Sequence, residues 1–416
     1  MRLKDFSVLN PQYKGESLDC EVSFVPMESL RNGAIDYQDI PFAEGKGKYT
    51  YFQDGDLLVA KVTPCFENGN IAIANNMKQG VGFGSSEIFV LRMNDKVLNT
   101  YMFYITQTAK FQEGACATMC GVGGLKRISP LFMRTYELDI PSLSKQQRIV
   151  DYLGVKLGKI DARIAVLEKQ QDVYARLKKS VIHQTVTRGL NPNVPLKDSG
   201  VEWIGLIPEH WERFRLKDLG YMYSGLTGKS GDDFRYDDET KTKPYVPFTN
   251  VLNNTVVDND SFNYVAMGDN EQQNQVKAGD LLFLMSSEDY ESIAKSAVVL
   301  GNPGEVYLNS FCRGLRITNH NCYAPFLNYQ LNSEMYRDAL RFEARGFTRI
   351  NIKIDRVASH FVSLPPFSEQ QTIADYLDEK CAKINASTEN IGKQIDALKR
   401  LKRALINEVI TGQRAV

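Results

Sequence analysis

The run from Pro141 to Arg188 matches the run from Pro365 to Gly412 at a constant offset of 224 residues, with about twenty of forty-eight positions identical. The matches include Ser144 with Ser368, Gln146-Gln147 with Gln370-Gln371, Asp151-Tyr152-Leu153 with Asp375-Tyr376-Leu377, and Lys159-Ile160 with Lys383-Ile384. A chain built this way must fold as two copies of one plan. Fainter echoes lie in the longer segments. Gly55-Asp56-Leu57-Leu58 faces Gly279-Asp280-Leu281-Leu282, and Leu91-Arg92 faces Leu315-Arg316, again at 224. At other offsets Arg2-Leu3-Lys4-Asp5 recurs as Arg215-Leu216-Lys217-Asp218, and Arg127-Ile128 as Arg349-Ile350. The order is therefore lobe (1–140), helix (141–189), linker (190–212), lobe (213–364), helix (365–416).

The repeated segments read as long helices. Each opens with a proline followed by Ser-x-x-Gln (Ser144 to Gln147, Ser368 to Gln371), the capping-box spacing that satisfies orphaned donors at a helix start. Leu153, Leu157, Ile160, Ile164, Leu167, Gln171 and Tyr174 then alternate spacings of four and three. So do Leu377, Cys381, Ile384, Thr388, Ile391, Ile395 and Leu398. That period gives each helix one apolar seam, and two equal seams in one chain bury each other most simply as a parallel or antiparallel pair. An inter-chain coiled coil is the alternative. Roughly forty residues rising about 1.5 Å each give about 60 Å, too long for a compact core and suited to a spacer.

The longer segments carry short β-branched and aromatic runs such as Leu57-Leu58-Val59-Ala60 and Ala297-Val298-Val299-Leu300, punctuated by Gly, Asn and Asp. Each reads as an α/β lobe rich in sheet. The expected fold class is thus α+β: two duplicated lobes separated by two long helices pairing as an intramolecular coiled coil, with pseudo-twofold symmetry. Between the first helix and second lobe, Pro and Gly density marks an ordered linker whose tryptophans, Trp203 and Trp211, are expected to anchor it to the lobe.

Length and composition exclude several classes. With 416 residues and 43% hydrophobic content, the chain is long enough for two or three cores, and no apolar run of about eighteen residues could span a bilayer. Met1-Arg2-Leu3-Lys4-Asp5-Phe6 lacks a secretory apolar stretch, so a cytoplasmic location is expected. Seven irregularly spaced cysteines fit neither a disulfide framework nor zinc knuckles, and are expected to be reduced and mostly packed. The formal charge is +0, distributed as about −2 over 1–140, +6 over 141–189, −5 over 190–364 and +1 over 365–416. Any nucleic-acid surface on the lobes must be a local patch.

Signatures of catalysis are missing. Ser224-Gly225-Leu226-Thr227-Gly228-Lys229-Ser230 imitates the end of a phosphate loop, but Tyr223 stands where the spacing demands Gly. Gly80-Val81-Gly82-Phe83-Gly84 and Gly121-Val122-Gly123-Gly124 lack the strand-to-helix G-x-G-x-x-G context and read as loops. There is no Asn-Pro-Pro-aromatic tetrapeptide of the amino-methyltransferase kind and no metal-protease or Ser/His/Asp pattern. A non-catalytic chain with duplicated lobes on a spacer suits a ligand with two separated, related sites. Duplex DNA is one, because half-sites about one turn apart, roughly 34 Å, present the same groove to two lobes.

The linker Asp198-Ser199-Gly200-Val201-Glu202-Trp203-Ile204-Gly205, followed by Ile207-Pro208-Glu209-His210-Trp211 and combined with the twice-used Pro-x-x-Ser-x-Gln-Gln start, resembles the specificity subunits of type I restriction-modification enzymes. The likeness covers essentially the whole chain, specific in helices and linker and weak in the lobes. The first lobe opens directly at Arg2-Leu3-Lys4-Asp5, without the Pro-Glu-His-Trp lead of the second. The resemblance implies two target-recognition domains, each reading one half of a bipartite site in double-stranded DNA, with the helices setting the gap. It implies docking of two modification (methyltransferase) subunits and of restriction (translocase/endonuclease) subunits. It also implies no cofactor in this chain, S-adenosylmethionine, ATP and Mg belonging to the partners.

Candidate DNA-binding residues follow from strand ends and glycine-flanked loops. Lys61 and Thr63 end the Gly-Asp-Leu-Leu strand and correspond roughly to Met285, Ser286 and Ser287. Lys126-Arg127 and Thr348-Arg349 lie beside Gly123-Gly124 and Gly346, where small residues permit close approach to phosphate. Arg337, Arg341 and Arg345, at spacing four, would line one helical face as a basic stripe. Gln146, Gln147, Gln370 and Gln371 read as helix-start structure, with contact to a methyltransferase partner as the alternative. The competing function is a duplicated non-DNA scaffold or adaptor whose lobes bind protein or glycan.

Overall fold

The computed structural model describes residues 1–122, 124–234, 242–268 and 271–416. The chain divides into two compact units, Met1–Lys169 with Ile391–Val416, and Gln170–Asn390. Each holds one sheet-rich lobe and one half of each long helix.

In the first unit a four-stranded antiparallel sheet runs in the order Ser7–Leu9, Ile88–Met93, Leu57–Ala60, Ile71–Ile73. In the second the order is Gly220–Ser224, Cys312–Ile317, Leu281–Leu284, Ser296–Val298. The register is also duplicated: Leu57 faces Leu91, and Leu281 faces Leu315. The two echoes noticed separately in sequence are therefore partners across one strand pair. Asp56 and Asp280 turn inward at the strand start, each 2% exposed at the side chain, and each receives a two-pronged arginine, Arg92 at 2.8 and 2.6 Å and Arg316 at 3.0 and 2.7 Å. Such carboxylates are tolerable because both oxygens are held by the guanidinium. The same oxygens accept the amides of Gln53 and Lys277 at 2.8 Å, and a tyrosine ring, Tyr51 or Tyr223, covers each guanidinium.

Two helices close each lobe: α1 (Asn99–Thr106) and α2 (Ala109–Ala117) in the first unit. The long helix α3 (Leu143–Arg188) follows; α4 (Ala324–Asn332), α5 (Glu334–Phe342) and the second long helix α6 (Phe367–Ile410) belong to the later half. In the first unit Leu153 and Leu157 of α3 share a core with Leu405, Ile406 and Val409 of α6, and Lys402 pairs with Asp161 at 2.7 Å. In the second, Val186 of α3 packs with Ile373, Ala374 and Leu377 of α6, the Gln171 amide donates to the Thr388 carbonyl at 3.4 Å, and Lys178 reaches Asn385 at 2.8 Å. Early α3 meets late α6 and late α3 meets early α6, so the pair is antiparallel and within one chain. Leu153, Leu157, Ile164 and Leu167 are buried, as are Leu377, Cys381, Ile384, Ile391 and Ile395, each leucine contributing roughly 2 kcal/mol.

The capping-box expectation fails. Both helices start two residues early, at Leu143 and Phe367, so Ser144 and Ser368 are second helical residues and not caps. The glutamine pair does different work. Gln146 and Gln370 are wholly buried. The Gln146 carbonyl oxygen accepts the Leu98 amide at 2.9 Å, while its NH2 group donates to the Lys96 and Pro141 carbonyls. Gln370 repeats this with Tyr323, Asn321 and Pro365. Each clips the loop entering α1 or α4 to the start of a long helix, and a partner-binding role for Gln146 and Gln370 is excluded by their burial and saturated bonding. Gln147 and Gln371 remain on the surface.

The linker is pinned within the second unit. Trp211 is fully buried, with its N–H donated to Glu369 at 3.2 Å and its ring edge-on to Phe326. Trp203 stacks on His360 at 4.8 Å. All seven cysteines are free; Cys312, Cys322 and Cys381 are buried, Cys65 and Cys116 half-buried, and Cys20 and Cys120 exposed. No helix among the described residues is long and apolar enough to cross a membrane.

Candidate nucleic-acid interface

The central strand of each sheet runs on past its last core residue and there receives a β-hairpin. In the first unit Leu57–Ala60 continues into Lys61, Val62 and Thr63. The Ile128 amide donates to the Lys61 carbonyl at 2.9 Å, Val62 bridges Arg127, and the Thr63 amide donates to the Lys126 carbonyl at 3.0 Å. This docks the hairpin Cys120–Val122 with Leu125–Arg127, which turns through Gly124; Gly123 lies outside the described residues.

In the second unit Leu281–Leu284 continues through Met285 to Ser286–Ser287, which pairs with Ile350–Asn351. The Ile352 amide donates to the Met285 carbonyl at 3.1 Å, and Arg345 and Asn351 exchange two backbone bonds of 2.9 Å. Lys61 thus corresponds to Met285 and Ile128 to Ile352, both isoleucines being buried plugs beneath the hairpins. The Arg127-Ile128 echo is corrected accordingly. Its structural counterpart is Asn351-Ile352, at 224, and not Arg349-Ile350, because Ile352 donates to Met285 the backbone bond that Ile128 donates to Lys61. Gly121 and Gly346 occupy matching first-strand positions where a Cβ would lie 2.1 and 2.0 Å from the carbonyl oxygen of Leu125 and of Arg349. Only glycine lets the two arms approach this closely, and Gly346 also sits at φ +142°.

Lys61, Thr63, Lys126 and Arg127 are brought together on the first hairpin and its docking strand. Lys126 projects into solvent. Arg127 makes a two-pronged bond of 2.9 Å to Glu87, whose other neighbour is Lys61 at 3.9 Å. The Arg127 bonds, joined by the charge of Lys61, hold the Glu87 carboxyl below its usual range against the opposing effect of burial. The Thr63 hydroxyl is spent on the Lys126 carbonyl at 3.2 Å. The rest of the exposed rim is apolar or small, with Val122 90% exposed beside Gly121 and Leu125.

Arg345, Thr348 and Arg349 gather on the second hairpin, all exposed, with Ser286 and Ser287 beneath. Arg349 lies over the Phe311 ring at 4.4 Å, and Arg345 is steadied by the carbonyls of Phe342 and Ala344. The Ser286 Oγ lies buried without a hydrogen-bond partner among the described residues. Ser287 accepts the Asp289 amide at 3.3 Å.

The basic stripe does not form. Helix α5 ends at Phe342, so Arg345 belongs to the hairpin; Arg337 is 6% exposed; and Arg341 is paired with Glu291 and Asp338, each at 2.8 Å. Spacing four predicts a common face, but that face turns inward. Sequence reasoning missed Phe347, fully solvent-exposed at the tip, and Tyr290, whose hydroxyl donates to the Gly346 carbonyl at 3.4 Å. The signal was the glycine-flanked Phe-Thr-Arg turn, where an aromatic has no lobe interior to enter.

Comparison with known proteins places these features in context. The model of the "Type I restriction modification DNA specificity domain" matches residues 15–171 and 208–397. The specificity subunit of the type I restriction enzyme EcoEI of Escherichia coli is 34% identical over 152 residues, 36% of this chain and 26% of that protein. The MjaVIII specificity subunit of Methanocaldococcus jannaschii is 22% identical over 399 residues, covering 96% of this chain and 87% of that one. The match thus spans about a quarter of the EcoEI subunit and most of the MjaVIII one. In fold, the chain is similar to a chain from a structure of a type I R-M system described for its complex assembly and conformational transition, with a TM-score of 0.73 at 15% identity over 99% of this chain and 96% of that one. It is also similar to the HsdS subunit of Thermoanaerobacter tengcongensis, with a TM-score of 0.53 at 16% identity over 100% and 96%.

Proposed function

Because the chain belongs to the type I restriction-modification DNA specificity family, we propose that it is the DNA-reading subunit of such a complex, each lobe contacting one half of a bipartite duplex site. The observation that carries this reading is the pair of equivalent hairpins, each mounted at the same end of the same strand of a duplicated sheet. In this reading Lys126, Arg345 and Arg349 meet phosphates, which position a lobe without reading sequence, while Thr348 and the apolar tips at Val122 and Phe347 face the bases. Arg127 and Lys61 brace the first hairpin through Glu87 and become available to DNA only if that pair opens. The lobes are the domains that read and the helical segments the spacer.

Catalysis and cofactors belong, in this proposal, to modification subunits that supply adenine methylation with S-adenosylmethionine and to restriction subunits that use ATP and Mg. Gln147 and Gln371, exposed next to the buried clips, are offered as contacts for the modification subunits. The complex would act in the cytoplasm, where the DNA lies.

The antiparallel helices would set the gap between half-sites. Seven residues of matched heptad sequence inserted after Lys169 and after Asn390 add about 10 Å of helix, or about 3 base pairs at roughly 3.4 Å each. Sequencing the DNA methylated by the assembled complex should show both half-sites unchanged and the gap wider by about three. An unchanged gap refutes the spacer role, and methylation without a bipartite preference refutes the specificity reading.

A further inference from the structure

A cleft of about 450 Å³ opens in the second unit between the C-terminal part of α3, the end of the short helix Phe248–Asn253 with the two residues after it, and helix α5. Its wall concentrates cations to an extent that its own carboxylates do not balance. Arg337 is almost completely buried, yet its Nη2 donates only to the backbone carbonyls of Glu291, at 2.5 Å, and Ile293, at 3.1 Å, and its Nη1 has no partner. Lys295 donates to the Leu252 carbonyl at 3.0 Å and has no carboxylate in ion-pair range among the described residues. The acidic groups nearby are otherwise engaged: Glu291 and Asp338 bind Arg341, Glu334 pairs with Lys179 at 3.7 Å, and Asp289 accepts the amide and hydroxyl of Ser292 at 2.6 and 2.9 Å. The Nε of Arg341 is likewise buried without a partner.

A buried guanidinium satisfied only by carbonyls is a costly arrangement for a fold to keep. The cost is visible in the protonation equilibria: burial, reinforced by the charge of Arg341, lowers the Arg337 pKa to about 10, and burial with the charge of Arg337 lowers that of Lys295. The duplication supplies an internal control. Thr108 and Ser333 precede α2 and α5 and donate to the equivalent carbonyls of Ile105 and Gln330 at 2.7 Å, which aligns Arg337 with Gln112 and Arg341 with Cys116. Gln112 is satisfied by the Thr106 carbonyl at 2.6 Å. The first lobe keeps the fold without the cations, so packing of this helix does not require them.

We propose that this cleft binds a phosphate group, held by Arg337 and Lys295 with the Ser333 end of α5 alongside. Two cations without carboxylate partners attract the single charge of a phosphodiester or the double charge of a phosphate monoester, and donors from two elements suit its tetrahedral oxygens. The phosphate has two possible sources, the backbone of bound DNA or a free phosphate-bearing ligand. The site does not depend on the assignment of the hairpins.

The test is titration of the full-length chain with inorganic phosphate at constant ionic strength, followed by calorimetry and by thermal midpoint, on the natural protein, Lys295→Gln and Arg337→Gln. Saturable binding weakened at least tenfold by both substitutions is expected. Should Arg337→Gln fail to fold, Lys295→Gln, at a half-buried position, decides. No saturable binding, or binding by Lys295→Gln equal to that of the natural chain, overturns the proposal. A duplex oligonucleotide that displaces phosphate and binds Lys295→Gln tenfold more weakly assigns the phosphate to DNA. Unaltered duplex affinity beside lost phosphate binding assigns it to a free ligand.

Discussion

Acid should destabilise the second unit through one residue, His360. Its ring lies sandwiched against Trp203, at 4.8 Å and 17°, and edge-on to Tyr336 at 6.1 Å, and its Nε2 is buried with no partner. Burial depresses its pKa from 6.5 to about 3. The folded-state value lies below the unfolded one. Between about pH 6.5 and 3 the unfolded chain therefore takes up a proton that the folded chain refuses, and stability complete above 6.5 is lost as pH falls. The loss is about 1.4 kcal/mol per pH unit, or about 2 kcal/mol at pH 5 relative to neutrality. Both tryptophans of the chain, Trp203 and Trp211, lie in this unit, so urea unfolding followed by tryptophan fluorescence reports on it directly. His360→Phe keeps an aromatic ring against Trp203 and removes the titration. Its stability should fall about 2 kcal/mol less between pH 7 and 5 than that of the natural chain, whatever the substitution costs at pH 7. Parallel declines in the two proteins would refute the assignment.

Two further outcomes follow from the paired lobes. Asp280→Ala removes the acceptor of Arg316, of the Tyr223 hydroxyl at 2.6 Å and of the Lys277 amide, and should cost about 3 kcal/mol in urea unfolding, at the lower end for a broken buried pair because Arg316 stays partly hydrated. Asp280→Asn, which keeps the shape, should cost measurably less; equal costs would mean that charge contributes little there. Lys126→Ala should weaken binding of the assembled complex to specific and unrelated duplexes alike, and lower the slope of log affinity against log salt by about 0.9. An effect confined to one sequence would move Lys126 from phosphate to base contact.

The two lobes share a frame and differ in what they mount on it. The duplicated acid–arginine pairs, the buried glutamine clips and the isoleucine plugs under the hairpins recur at equivalent positions and make up the shared frame. The hairpin rims and the cationic cleft beside α5 do not recur. One lobe offers Lys126 with Val122, the other Arg345, Thr348 and Arg349 with Phe347, a divergence suited to two different half-sites.

Period and repetition alone determined the alternation of lobes and helices, the seam residues, the family resemblance and the anchoring by the two tryptophans, because these are one-dimensional signals carried by spacing and by long identical runs. Gln146 and Gln370 were legible as helix-start structure, but their burial was not, since the helix boundary lies two residues earlier than a serine cap would put it and the partners of each glutamine lie about fifty residues away in the lobe. The antiparallel sense of the helix pair, the inward turn of Arg337, the closed hydroxyl of Ser286 and the true counterpart of Arg127 were settled only by tertiary structure. Each depends on which face of an element meets another element far away in the chain, and a spacing rule names a common face without saying whether solvent or protein lies against it.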